Sequence, residues 1–248
     1  MKQITDILVQ FSPINISEMD EVKLQNRTDT KYILSVETLA NILPQLAQDY
    51  RCLEVSNTRA NNYKTLYFDT DDMQFYHHHH NEKPDRFKVR MRQYVESNLT
   101  FLEIKHKIKG RTDKSRIKIS DFSTEFNDEQ SKFVDEVLGN HIPLKPQLWN
   151  MFKRITLVNK TIKERLTIDV DLQFLLVNDE TKIWKKSNLV IAEVKQEKIN
   201  RESAFIKLCK ENGIRPSSIS KYCLGTSVLV NSVKRNTFKP KILAIEKL

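Results

Sequence analysis

The residues able to do chemistry in this chain are cations set two apart. In Phe87-Lys88-Val89-Arg90-Met91-Arg92-Gln93-Tyr94, an extended strand sends Lys88, Arg90 and Arg92 to one face and Phe87, Val89 and Met91 to the other. The alternation recurs. Glu103, Lys105 and Lys107 oppose Leu102, Ile104 and Ile108, and Lys114, Arg116 and Lys118 oppose Ile117 and Ile119. Lys163, Arg165, Thr167, Asp169 and Asp171 oppose Ile162, Leu166, Ile168, Val170 and Leu172, while Glu193 and Lys195 oppose Val190, Ala192 and Val194. One such strand is an ordinary half-buried strand with a wet outer face. Repeated rows dominated by Lys and Arg are different, because like charges facing each other on neighbouring strands repel. Turned inward on a closed sheet, these rows would line a cationic tunnel that requires an anion.

The elements that must hold these rows follow from periodicity and caps. Met1 to Phe11 carries Ile4, Ile7, Leu8 and Phe11 at helical spacing, and Arg27 to Leu34 reads as a strand with Arg27, Asp29 and Lys31 on one side. Ser35 caps a helix whose Leu39, Ile42, Leu43 and Leu46 share a face. Tyr63 to Phe68 is a strand closed by a turn at Asp69 to Asp72, and His77 to His80 fall in a polar loop. Four adjacent imidazoles rarely converge on one ion, so no metal site is read there. Asn127 to Leu138 is a helix stopped by Gly139, and Leu148 to Val158, which contains Arg154, turns near Asn159-Lys160 into the Arg165 strand. A hairpin at Asn178 to Thr181 leads past Trp184 to Leu189 to Lys195. Arg201 to Asn212 is a helix capped by Asn200 and ended by Gly213, Ser217 or Ser218 caps a last short helix with Lys221 and Tyr222, and the stretch from Asn231 is a basic tail.

Composition narrows the partner. The 248 residues suffice for one large domain, and 41 Lys plus Arg against 32 Asp plus Glu leave a net charge of +9. That balance calls for nucleic acid, an anionic membrane surface or a polyphosphorylated small molecule. Cys52, Cys209 and Cys223 lack metal-ligand spacing, which argues against zinc and for a reducing compartment. No apolar run approaches the roughly 20 residues of a membrane span, and the N-terminus lacks a signal-peptide layout. A cytoplasmic protein is expected, with any membrane partner separately encoded and the basic tail as the segment that would meet a membrane surface.

The series Arg27-x3-Lys31-Tyr32, Tyr67-Phe-Asp-Thr70, Lys88-Val-Arg90-Met-Arg92-x-Tyr94, Leu102-Glu-Ile-Lys105, Lys114-x-Arg116, Arg165-x-Thr-Ile-Asp169, Glu193-x-Lys195 and Ser220-Lys-Tyr222 resembles the VTC domain. That is the polyphosphate polymerase domain of the vacuolar transporter chaperone complex, within the triphosphate tunnel metalloenzyme superfamily. The resemblance implies an α+β fold: a closed antiparallel β-barrel tunnel with a polar cationic lumen, flanked by helices, over residues 1–230, with 231–248 as a basic tail. It implies transfer of the ATP γ-phosphate to a growing inorganic polyphosphate chain, supported by Mn²⁺ or Mg²⁺. Matched by motif, Arg90, Arg92, Lys105 and Lys221 would be catalytic, and Lys31, Lys88, Lys114, Arg116, Arg154 and Arg165 would bind phosphate. Glu193 would hold the metal, with Glu103 as a second carboxylate. Lys118 shares the parity of Lys114 and Arg116, so which two of the three reach substrate stays open.

Such residue types suit phosphoryl transfer, in which Arg forks and Lys charges clamp oxygens while a metal bridges phosphates. The attacking oxygen can belong to the acceptor polymer, and the chain offers no Ser/His/Asp or Cys/His motif and no phosphate-binding Gly-x4-Gly-Lys-Ser/Thr loop. Asp169 and Asp171 can instead pair with and steady neighbouring cations. Two other functions use the same residues: hydrolysis of triphosphate or nucleoside triphosphate, and a binding module without turnover. Nucleic acid is disfavoured, because aromatics near the charge rows sit on the opposite parity or at strand ends.

Overall fold

The computed structural model describes residues 2–20 and 27–248. Met1, at the head of the expected first helix, and residues 21–26, within the expected tunnel domain, lie outside the described residues. Twelve strands are β1 Ser12–Ile14, β2 Thr28–Ser35, β3 Tyr50–Leu53, β4 Ala60–Asp69, β5 Arg86–Tyr94, β6 Leu99–Ile108, β7 Arg111–Ile119, β8 Lys145–Asn159, β9 Glu164–Leu176, β10 Asp179–Lys186, β11 Leu189–Gln196 and β12 Pro216–Ser217. The α-helices are α1 Lys2–Leu8, α2 Val36–Ile42, α3 Gln74–His80, α4 Asp128–Leu138, α5 Ala204–Glu211, α6 Lys221–Leu229 and α7 Lys239–Glu246.

All strands join one sheet, in the order β12-β2-β11-β9-β8-β4-β5-β6-β7, with β3 and β10 attached to β8 and β9 and β1 paired in parallel to β3. The other ladders are antiparallel. Period-2 patterning puts the apolar rows on the outer face, beneath helices. Leu34, Ile155, Leu166, Ile168 and Val194 pack with Ile4, Leu39 and Phe205 of α1, α2 and α5. Leu66, Val89, Met91, Leu102 and Ile104 pack with Phe75 of α3 and Val134 and Leu138 of α4.

The sheet curls round its other face. In the ladder order four strands separate β2 from β5, yet the charge of Lys31 on β2 reaches Lys88 on β5. Only a strongly coiled sheet brings those rows together. The expected closed ring is not formed, however: among the described residues no ladder joins β7 to β12. One edge is the two-residue β12, and the other carries Arg111, Lys114, Arg116 and Lys118, charges that blunt a strand against further pairing.

At one end the concave face is filled by α6. Tyr222, Leu224 and Leu229 pack with Tyr67, Leu148, Phe152, Leu172, Phe174 and Ile191. Gly225 permits this approach, since a Cβ there would lie 2.6 Å from both Leu148 Cδ2 and Phe174 Cδ1. The apolar floor exists because β9 changes parity. Its register against β8 shifts between Met151 and Lys153, and Asp171 takes a left-handed φ of 55°. Beyond this bulge Leu172 and Phe174 turn inward, and Asp171 leaves the charged row expected of it to sit 3.7 Å from Lys185.

Local differences have local causes. The His77 to His80 run lies in α3 rather than a loop, because Asp69 accepts the free N–H groups of Phe75 and Tyr76 at 2.8 and 2.9 Å. Ser203, not Asn200, caps α5, and Ser220 caps α6. Residues 231–248, expected as a tail, carry α7, with Phe238 5.8 Å from Tyr76 and Ile245 buried.

Candidate active site

One wall of the lumen is built by β5, β6 and β7. Register sets Arg90 opposite Glu103 and Glu103 opposite Arg116, and in the next row Lys88 opposite Lys105 and Lys105 opposite Lys114. Arg90 donates from Nε and Nη2 to Glu103 Oε2 at 2.8 and 2.6 Å, and Lys114 pairs with Oε1. Burial alone would raise the pKa of Glu103, but the charges of Arg90, Arg92 and Lys114 outweigh it and hold the carboxylate ionised, well below its usual range. Glu103 is 0 % exposed and fixes these cations in place.

The facing wall comes from β8, β9, β11 and β2, with α6. Arg154 and Asp169 are cross-strand partners and form a bidentate pair at 2.6 and 2.7 Å. Lys221, the first residue of α6, donates to the same carboxylate. Lys31 opposes Glu193 at 3.4 Å, and the Lys195 ammonium pairs with Glu193 and lies 3.7 Å from Asp29.

Aromatic rings, expected on the opposite parity or at strand ends, instead share the cation-bearing face at Tyr63, Phe101 and Phe152, where they help to hold cations of like sign together. Arg92 and Arg154 lie 5.5 and 5.3 Å from the Phe152 ring and 5.6 and 4.9 Å from Tyr63, and Lys221 lies 4.8 Å from Phe152. Arg116 lies 4.6 Å from Phe101. Each contact of this kind is worth about 0.5–2 kcal/mol.

What distinguishes the lumen is its unpaired charge. Among the described residues, Lys88, Arg92, Lys105 and Arg165 have no carboxylate within 4 Å. Arg92, 5 % exposed, donates only to Thr65 Oγ1 at 3.1 Å, and the Arg165 Nε is buried without a partner. Burial first, then the charges of Arg90, Lys88, Arg92 and Lys114, push the pKa of Lys105 well below that of a free lysine. Lys88 and Lys31 are lowered by burial as well. Buried cations crowded this way are stable only opposite an anion.

The four carboxylates Glu103, Asp169, Glu193 and Asp29 all pair with Arg or Lys, but only Glu193 and Asp29 share one ammonium: both flank Lys195, while Lys31 lies 3.4 Å from Glu193 and Arg27 donates to Asp29 at 2.9 Å. A cation already sits between them, and a pair of hard oxygen donors completed by phosphate and water suits Mg²⁺ or Mn²⁺. Among the described residues no three His, Cys, Asp or Glu gather as a metal-binding group. The donor set therefore fits a metal carried in with phosphate.

The structure brings ten of the expected site residues to one concave surface: Lys31, Lys88, Arg90, Arg92, Glu103, Lys105, Arg154, Arg165, Glu193 and Lys221. Lys114 and Arg116 share its register on the exposed edge strand β7. Sequence reasoning left out Lys195, whose two-residue spacing from Glu193 is the signal for it. Lys163, which the alternation set in the row of Arg165, is exposed and pairs with Glu197 at 3.3 Å.

A coiled antiparallel sheet flanked by helices, with cations lining its concave face, defines an α+β fold. The fold agrees with solved structures. A "putative adenylate cyclase" from Bacillus halodurans has a TM-score of 0.53 at 15% identity, over 79% of this chain and 94% of that one. A "putative adenylyl cyclase" from Hippeastrum, described as revealing a dominant triphosphatase activity, has a TM-score of 0.50 at 12% identity, over 83% and 98%. No curated protein matches the chain. The VTC domain matches residues 26–230, and the chain belongs to the VTC domain family.

Proposed function

We propose that this protein is an ATP-dependent polyphosphate polymerase that moves the γ-phosphate of ATP onto the end of an inorganic polyphosphate chain. The observation that carries the reading is the set of cations without carboxylate partners among the described residues, the buried Arg92 and the half-buried Lys88, Lys105 and Arg165, on one concave face. Membership of the VTC domain family supports the same substrate class. Lys31, Lys88, Lys114, Arg116, Arg154 and Arg165 bind the string of phosphates, and Arg90, Arg92, Lys105 and Lys221 clamp the phosphoryl group that transfers. Forked guanidiniums in a low-dielectric lumen stabilise the charge that spreads over its oxygens. The acceptor's terminal phosphate oxygen attacks, so no side chain forms a covalent bond.

Glu193 with Asp29 would hold Mn²⁺ or Mg²⁺, which when bound neutralises charge on the β- and γ-phosphates. Glu103, expected as a second metal ligand, acts in this reading as the anchor of Arg90 and Lys114. ATP and polyphosphate are the partners in this reading. No helix among the described residues is long and apolar enough to cross a membrane.

Incubation of the purified protein with ATP and Mn²⁺ should yield ADP and long polyphosphate. Arg92→Ala, which leaves no carboxylate behind, should lower turnover by about 100-fold or more. Orthophosphate without polymer would replace the polymerase reading with hydrolysis, and binding without either product would leave a binding module.

A further inference from the structure

Tyr67 lies on the concave face beside α6, with its hydroxyl uncommitted among the described residues. Its register places it opposite Arg90 on β5 and Leu148 on β8, so the side chain stands on the cation-bearing face. The residue is 4 % exposed, and its ring lies 5.1 Å from that of Tyr222. Tyr222 donates its own hydroxyl to Asp69, and Tyr76 donates to the Lys234 carbonyl at 2.7 Å. The Tyr67 hydroxyl bonds to nothing among the described residues. It is also not one of the sealed polar atoms, such as those of Asn61, so it opens onto lumen solvent. Buried tyrosine hydroxyls ordinarily find a partner, and leaving one without costs stability.

Four cations from both walls, Lys31, Lys88, Arg90 and Arg92, lie within electrostatic reach of that oxygen. A further cation there would add repulsion. A phenol adds a donor without adding charge.

We propose that the Tyr67 hydroxyl is a phosphate-binding donor, bonding a non-bridging oxygen of a condensed phosphate held between Arg90 and Lys31. The assignment rests on the anion-binding reading of the lumen and extends it to a neutral group. It gives the site a donor whose direction is fixed by a packed ring, where flexible lysines supply only charge.

Tyr67→Phe removes one oxygen and keeps the ring. Calorimetric titration with tripolyphosphate should show about a tenfold higher Kd for the variant, the worth of one hydrogen bond to a charged oxygen. Because the hydroxyl has no partner among the described residues, the melting temperature of the free variant should match that of the parent. A Kd within twofold of the parent overturns the assignment. So does a fall in affinity accompanied by a loss of several degrees, which would make the hydroxyl structural. A parent that binds no tripolyphosphate overturns this inference and the proposed function together, whereas tight parent binding matched by the variant overturns this inference alone.

Discussion

Lys221 shows how single residues here are tuned by their surroundings. Burial pulls its pKa down, Asp169 pulls it back up, and Arg154 and Arg92 lower it again, leaving it at about 8. The ammonium is therefore present below that pH and lost above it. With Lys221 acting as a clamp on the transferring phosphoryl group, kcat/KM for ATP should decline on the alkaline side with an apparent pKa near 8. Lys114 is likewise lowered to about 8, so in Lys221→Arg, which cannot deprotonate in this range, the decline should become shallower, and it should vanish only when Lys114→Arg is combined with it. A wild-type profile flat to pH 9.5 would remove Lys221 from the clamp. Asp169 and Glu103 do not titrate in this window, because the cations that surround them hold both carboxylates ionised.

At the scale of elements, α6 is the part that depends most on one residue. It delivers Lys221 to Asp169 only because Gly225 lets the helix lie against Leu148 and Phe174. Gly225→Val should cost about 1–3 kcal/mol through overpacking, seen as a lower melting temperature, and should reduce activity by displacing Lys221. Unchanged melting would mean the helix is seated elsewhere. The strands were legible from the sequence because polar and apolar residues alternate over residues 87–92 of β5, 102–105 of β6, 116–119 of β7 and 192–195 of β11. The alternation misled at Asp171, where an extra residue in β9 turns the strand over. Nothing in the local residue types marks that bulge, since it is imposed by packing against β8 and α6. Helix α3 was hidden for a related reason. Its stabilising carboxylate, Asp69, lies at the end of a strand several residues upstream and reads in the sequence as part of a turn. The lumen cations were legible as a set, but their partners were not. Pairing Arg154 with Asp169, or Lys195 with Glu193 and Asp29, depends on register between strands distant in sequence.

For the whole molecule, the governing fact is that the chain's excess of positive charge, +9 overall, is partly folded inward rather than spread over the surface. Lys31, Lys88, Lys105 and Lys195 all have lowered pKa values, with burial as the first cause. An anion that enters the lumen relieves this strain, whereas one that meets the outer surface does not. Among the described residues no ladder closes β7 onto β12, so the cation-lined face belongs to an open, coiled sheet. A compact condensed phosphate suits such a face better than a polynucleotide, whose phosphates are spaced by sugars and accompanied by bases. The most direct measurement is therefore competition for bound, labelled ATP in the presence of Mn²⁺. Tripolyphosphate should displace ATP at a concentration at least about 100-fold lower than single-stranded DNA, counted per phosphate. Displacement by DNA at equal or lower phosphate concentration would contradict the account of an inward-facing phosphate tunnel.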